Sequence, residues 1–376
     1  MHKREKERAL LKRKLEAGVN IHMPAPRRIG KTWLLKRLAE DLPKNQWHVI
    51  DFDVQGMSSP KEFAKKLCQR IQNHSSIAQK FWANVKQRLN TLSNGASVTD
   101  PKEALGQLDP IEFCETLVAS LDAQEGRTAI LIDEIAYFFL KLAEQNPEEA
   151  YSFAYKLRSL QLGYTSVQWV MTGSIGLDVI ARRFDLEGAF VDFEIFVLEP
   201  FTPDEARSFL RDPIFYNQMT APFDADDDDF NWLFEQLGWL APYYLKSVAN
   251  AVRPSTLGQD NKPKATRGDL EKAYDALLQS NRTSEFAVYP EHIDKNLRPE
   301  DRFIARHCLD TPSAHPGGER EETIIASITG RHSDKTRRNV KDVLNILAND
   351  GLLIRQGDRW KFLSGLIRGY WQRHEA

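Results

Sequence analysis

The stretch "VNIHMPAPRRIGKTWLLKRLAEDL", residues 19–42, decides the fold. Its first five residues read as a short apolar strand, and Thr32 to Asp41 read as an amphipathic helix. Between them, Pro26 to Thr32 ends in Gly-Lys-Thr. A strand, a tight loop and a helix in that order can aim backbone N–H groups at a phosphate. The helix N-terminus adds about half a positive charge at the same point. Gly30 gives the turn, Lys31 a cation for the β- and γ-phosphates, and Thr32 a hydroxyl for Mg²⁺. At an effective dielectric near 20, one lysine–phosphate contact is worth roughly 4 kcal/mol. The first position of such a loop is ordinarily glycine, and here it is Ala25. A left-handed backbone there costs alanine about 1–2 kcal/mol. A mere need for a small side chain costs nothing.

Further along, "ILIDEI" is an apolar strand that stops at Asp133 and Glu134. Hydrolysis of a bound triphosphate needs one carboxylate to hold Mg²⁺ and another to activate water. The alternative is a strand that simply ends in polar residues. "WVMTGS" offers Thr172 and Ser174 at another strand end, where a polar group would sense the γ-phosphate or place water. Strand and helix patterns alternate from Val19 to Pro200, which predicts an α/β fold with a parallel sheet. "SNGASVTDPKEALGQLDP" (93–110) reads as a loop or insertion. A last strand is expected over 193–201, and only helix patterns from Thr202 to about Ser280.

The last eighty residues change rhythm: helix, short helix, turn, the helix "TRRNVKDVLNILANDG" stopped by Gly351, then "LLIRQGDRWKFL" as a β-hairpin around Gly-Asp. This is the order of a winged helix. The expected organisation is a nucleotide-binding α/β domain over 1–200, a helical lid over 201–295 and a winged helix over 296–376. Lys335, Arg337, Arg338 and Lys341 share a helix face, with Arg355, Arg359 and Lys361 on the wing. They are candidate DNA contacts, and such binding would be salt-dependent. The other reading is a solvated helix in a winged helix that touches protein. Trp360, Tyr370 and Trp371 are read as packing.

Bulk composition agrees with these assignments. With 41% hydrophobic and 28% charged residues the chain is of the soluble globular type, and no apolar run nears the roughly 18 residues of a membrane span. Three distant cysteines, Cys68, Cys114 and Cys308, suit a reducing compartment, so the cytoplasm is expected. Net charge is −2, which advertises no polyanion partner. The basic N-terminus and the acidic run "DADDDD" (224–229) are read as solvated surface.

"PAPRRIGKTWLL", "ILIDEI", "VMTGS", "LEPFTPDEA" and "LGWLAPYYL" together resemble the archaeal-type P-loop ATPases, of the signal-transducing STAND branch near the AAA+ proteins. The double arginine Arg27–Arg28 is characteristic of that family and more specific than the Gly-Lys-Thr, and the resemblance spans nearly the whole chain, weakest over 55–125. It implies ATP and Mg²⁺ as cofactors. Ala25, Pro26, Arg27, Arg28, Ile29, Gly30, Lys31, Thr32 and Trp33 would bind nucleotide, and Thr32 and Asp133 the metal. Glu134 would act in catalysis, with Thr172 or Ser174 as sensor. Pro242 in "GWLAP" stands where the family's lid approaches the nucleotide. Three departures are Ala25, the lid motif itself, and Ala189 where an arginine often stands; Arg182 or Arg183 would substitute for it, or else form a solvated helix end. An arginine finger supplies about 10³ to 10⁵ in rate. The resemblance therefore implies a slowly hydrolysing switch that engages DNA or a protein, with homo-oligomers common among relatives. A nucleotide-holding adaptor with negligible turnover is the alternative.

Overall fold

The computed structural model describes residues 4–74, 79–92, 108–174, 176–211, 223–279, 286–330 and 336–375. Residues 93–107 of the loop expected over 93–110, and Lys335, lie outside the described residues. Two compact units are present: Lys6–Ala25 with Lys31–Leu198, and Met1–Glu5 with Pro26–Gly30 and Glu199–Ala376.

The first unit runs α1 (Glu5–Glu16), β1 (Ile21–Pro24), α2 (Lys31–Asp41), β2 (Trp47–Asp53), α3 (Pro60–Gln72), α4 (Gln79–Leu92), α5 (Pro110–Asp122), β3 (Arg127–Asp133), α6 (Ile135–Gln145), α7 (Pro147–Gly163), β4 (Val167–Gly173), α8 (Leu177–Arg183) and β5 (Glu194–Ile195). Five strands pair in parallel in the order β2-β3-β4-β1-β5. A parallel sheet covered on both faces demands near-continuous apolar strands. Ile130, Leu131, Ile132, Val170 and Met171 are fully buried. The register sets Asp53 opposite Asp133, and Met23 opposite Thr172. Polar strand ends thus line up along one edge of the sheet, the usual crevice for ligands in open α/β folds.

Two elements depart from the sequence reading. α6 is hidden because "IAYFFL" merely prolongs the apolar run of β3; its first six residues are all buried, so its opening turns show no polar face to give a helical period. The strand expected over 193–201 shrinks to Glu194–Ile195. Its partner β1 ends at Pro24, which has no N–H to extend a ladder. Ile195 and Val197 remain exposed while Phe196 and Leu198 are buried, so the alternation is real without the pairing.

The second unit contains α9 (Pro203–Arg211), α10 (Asp227–Leu237), α11 (Pro242–Ala251), β6 (Thr256–Leu257), β7 (Pro263–Lys264), α12 (Arg267–Gln279), α13 (Val288–Asn296), α14 (Pro299–Ser313), β8 (Glu319–Arg320), α15 (Glu321–Thr329), α16 (Arg337–Asn349), β9 (Leu353–Gln356), β10 (Arg359–Phe362) and α17 (Gly365–His374). This arrangement fits a helical lid followed by a winged helix. The β9–β10 hairpin forms as the sequence suggests, with Gly357 at φ 63. β8 adds a third strand, and the β6–β7 ribbon interrupts the expected helix-only stretch. Each of these strands is two residues long, too short to carry a period. Trp360 and Trp371 are buried and donate their indole N–H groups to Glu321 and Asp310 at 3.0 and 2.8 Å, which makes them packing residues. The acidic run is ion-paired rather than merely solvated: Asp224 to Arg211, Asp226 to Lys264 and Asp229 to Arg267. Among the described residues no helix is long and apolar enough to cross a membrane.

Candidate nucleotide site

β1 delivers the chain to Ala25, whose N–H donates to the Gly173 carbonyl of β4 at 3.2 Å. Ala25 is buried and is not among the residues with positive φ. The left-handed positions of the loop are Arg28 (φ 73) and Gly30 (φ 100). Alanine therefore satisfies a demand for smallness, and the cost feared for the missing glycine does not arise. Ala25→Gly is expected to leave ATP affinity within about threefold, below 0.7 kcal/mol; a tenfold change in a binding titration would contradict this.

α2 opens with Lys31, which is 6% exposed and donates to the Ala25 carbonyl at 2.6 Å. Next comes Thr32, whose hydroxyl donates to Asp133 Oδ2 at 2.6 Å. The other oxygen of Asp133 accepts from the Thr172 hydroxyl and, at 3.1 Å, from the Glu134 N–H. Asp133 thus ties together the ends of α2, β3 and β4. Glu134 follows in the left-handed region (φ 61), a strained conformation for a glutamate that turns its side chain off the strand axis. Its Oε2 accepts from the Ser174 hydroxyl at 3.0 Å and the Ser174 N–H at 3.2 Å. The Lys31 ammonium suits a phosphate, and the Thr32 hydroxyl and Asp133 carboxylate are hard oxygen donors that suit a Mg²⁺ that keeps most of its own water. When bound there, the cation would neutralise phosphate charge.

Pro26–Gly30 belong to the second unit, and their contacts were not legible in the sequence. Arg27 Nε pairs with Asp350 Oδ1 at 2.7 Å, and both side chains are largely buried. The Arg28 guanidinium lies 3.9 Å from the centre of the Tyr243 ring. Arg4 Nη2 donates to the Ile29 carbonyl at 3.2 Å. Gly351 (φ 83) has Pro26 so close that an added Cβ would meet its Cβ at 2.7 Å. Pro242 is the first residue of α11, directly before Tyr243. The neighbouring Tyr244 and Tyr289 hydroxyls are 2.6 Å apart, and burial pushes the Tyr289 hydroxyl up to about 12.

Trp33 is half-buried beneath Arg37. Ala189 is buried, Arg182 is exposed, and Arg183 lies over Phe184. On α16 and the β9–β10 hairpin the candidate DNA contacts have carboxylate partners. Arg337 pairs with Glu322, Lys341 with Glu321 at 3.0 Å, Arg355 with Glu321 at 3.6 Å, and Arg338 with Asp342 at 3.9 Å. Arg359 donates to the Gly318 carbonyl at 3.0 Å. Although burial opposes it, hydrogen bonds from Lys341 and Trp360 hold the Glu321 carboxyl below its ordinary range.

The parallel sheet with a phosphate loop after β1 and paired acidic residues after β3 defines a P-loop fold of the AAA+ type. Residues 21–180 match the family model described as an AAA domain. Over 98% of this chain and 95% of the other, the structure is similar to a Walker-type ATPase of Pyrococcus abyssi, at 14% identity and TM-score 0.66. It is also similar to the ORC2 protein of Aeropyrum pernix in ADPNP–ADP complexes, at 10% identity and TM-score 0.52, over 98% and 92% of the two chains. No curated protein sequence matches the chain.

Proposed function

We propose that the chain binds ATP with Mg²⁺ and hydrolyses it slowly, as a switch of the STAND kind. In this reading residues 1–200 hold the nucleotide, 201–295 form the lid, and the winged helix over 296–376 engages DNA or a protein. The observation that carries it is the Asp133 carboxylate, shared between the Thr32 and Thr172 hydroxyls, beside a buried Lys31. The nucleotides named for the ORC2 protein support the choice of ligand. Lys31 would hold the phosphates, Thr32 and Asp133 the metal, and Glu134 would take a proton from the attacking water. DNA contact through Arg337, Lys341 and Arg355 would require exchanging glutamates for phosphates. A protein partner, or a second copy of this chain, would serve the same switch.

Slowness follows from Ser174, whose two hydrogen bonds hold the Glu134 carboxylate. A hydrogen bond to a charged group contributes about 1.5–3 kcal/mol, so releasing the hydroxyl is expected to speed phosphate release about tenfold in Ser174→Ala. A slower variant would assign Ser174 to placing water instead. The proposal as a whole is tested by equilibrium binding of ATP with Mg²⁺ and by phosphate release from the full chain. Failure to retain ATP at millimolar concentration sinks it. The adaptor reading is favoured by the same Ser174–Glu134 pair, and binding without measurable release would select it.

A further inference from the structure

A cavity of about 300 Å³ opens beside the candidate nucleotide site, within the first unit, and Thr32 and Asp133 form part of its wall. The rest of the wall includes Lys36 from α2, Asp53 from the end of β2, and Lys66 and Arg70 from α3. Three cations therefore border a space that also meets the hydroxyl and carboxylate assigned to the metal. They are not equivalent. Arg70 is committed to β2: its Nη2 donates to Asp51 Oδ1 at 2.6 Å and its Nε to the Asp51 carbonyl. Lys36 is exposed on the first helix after the loop. Lys66 is half-buried, and its charge acts on Asp53, the strand neighbour of Asp133. Partial burial and the charge of Asp133 hold the Asp53 carboxyl above its ordinary range, against the Gln55 N–H and Lys66.

We propose that Lys66 is a catalytic residue that reaches through this cavity to the terminal phosphate of ATP. The inference rests on the ATPase reading above. As water attacks, its oxygen bonds to the γ-phosphorus and the bond from phosphorus to the β–γ bridging oxygen breaks. ADP leaves with the electron pair, and the water proton passes to Glu134. Phosphoryl transfer involves little covalent work by the protein, so a charge placed against the equatorial oxygens is a principal means of lowering the barrier. Lys31 supplies one such charge from the loop. Ala189 is buried and uncharged, and Lys66 supplies the second charge from within the same unit.

The test uses the full chain with Lys66→Ala, Lys66→Met, Lys66→Arg and Lys36→Ala, all checked for unchanged melting. Lys66→Met keeps the aliphatic stem, so packing loss is separated from charge loss. Single-turnover hydrolysis is expected to fall about 10²-fold in Lys66→Ala and Lys66→Met, the scale for losing one preorganised donor. ADP affinity should stay within about threefold. Capture of ADP with aluminium fluoride, a mimic of the transferring phosphate, should weaken by at least about 30-fold, because differential binding of the transition state is what is lost. Lys66→Arg should recover most of both, and Lys36→Ala should behave as wild type. Unchanged capture and turnover in Lys66→Met, or the loss appearing in Lys36→Ala instead, overturns the assignment. If the wild type itself retains no ATP, the ATPase reading fails and takes this inference with it.

Discussion

Lys31→Ala is expected to weaken ATP binding about 10³-fold. The ammonium is buried at the start of α2 and donates to the Ala25 carbonyl at 2.6 Å, so it is already gathered at the loop where phosphate would lie. One lysine–phosphate contact at 4 Å and an effective dielectric near 20 amounts to about 4 kcal/mol, which is about three decades in affinity. Filter binding with labelled ATP, beside far-ultraviolet circular dichroism to confirm folding, measures it. Equal retention by wild type and variant would remove the loop from the binding site altogether.

Glu134→Gln should have the second largest effect, with the opposite division between binding and chemistry. The glutamate sits at a left-handed turn just after Asp133, and under the proposed function its carboxylate takes a proton rather than holding nucleotide. Losing a positioned general base costs about 10²- to 10⁴-fold in rate, while ATP affinity should change by less than about threefold, a shift below 0.7 kcal/mol. Glutamine also keeps an oxygen for the Ser174 bonds. A rapid-quench measurement showing undiminished turnover would reassign Glu134 to a structural role.

What the sequence makes legible here is what lies close together along the chain. Gly30, Lys31 and Thr32 are consecutive, and a strand ending in Asp133 announces itself by its apolar run. Their meeting with Thr172 follows from parallel strand order, because like ends of neighbouring strands must align. Asp350 and Tyr243 gave no such signal: Asp350 reads as one polar residue before a helix-stopping glycine, and Tyr243 as one aromatic in an apolar helix. Lys66 is hidden for another reason. Lys61, Lys65, Lys66 and Arg70 all decorate α3, and periodicity alone does not say which of them borders a cavity. The basic residues of α16 show the limit of reading charge from one helix, since Glu321 and Glu322 come from α15 rather than from α16.

The pairing of Arg27 with Asp350 spans 323 positions of sequence, and it bears on how this protein can diverge. Five residues in the middle of the nucleotide motif are held by the far end of the chain, through Asp350, Tyr243 and the glycine that leaves room for Pro26. Arg28 carries a backbone penalty of about 1–2 kcal/mol, and its aromatic platform offsets a comparable amount. A hybrid gene that exchanged only the amino-terminal half with a cousin would inherit one side of each handshake. The two halves are heirs to a joint estate, and a change at Arg27 calls for an answering change three hundred residues downstream.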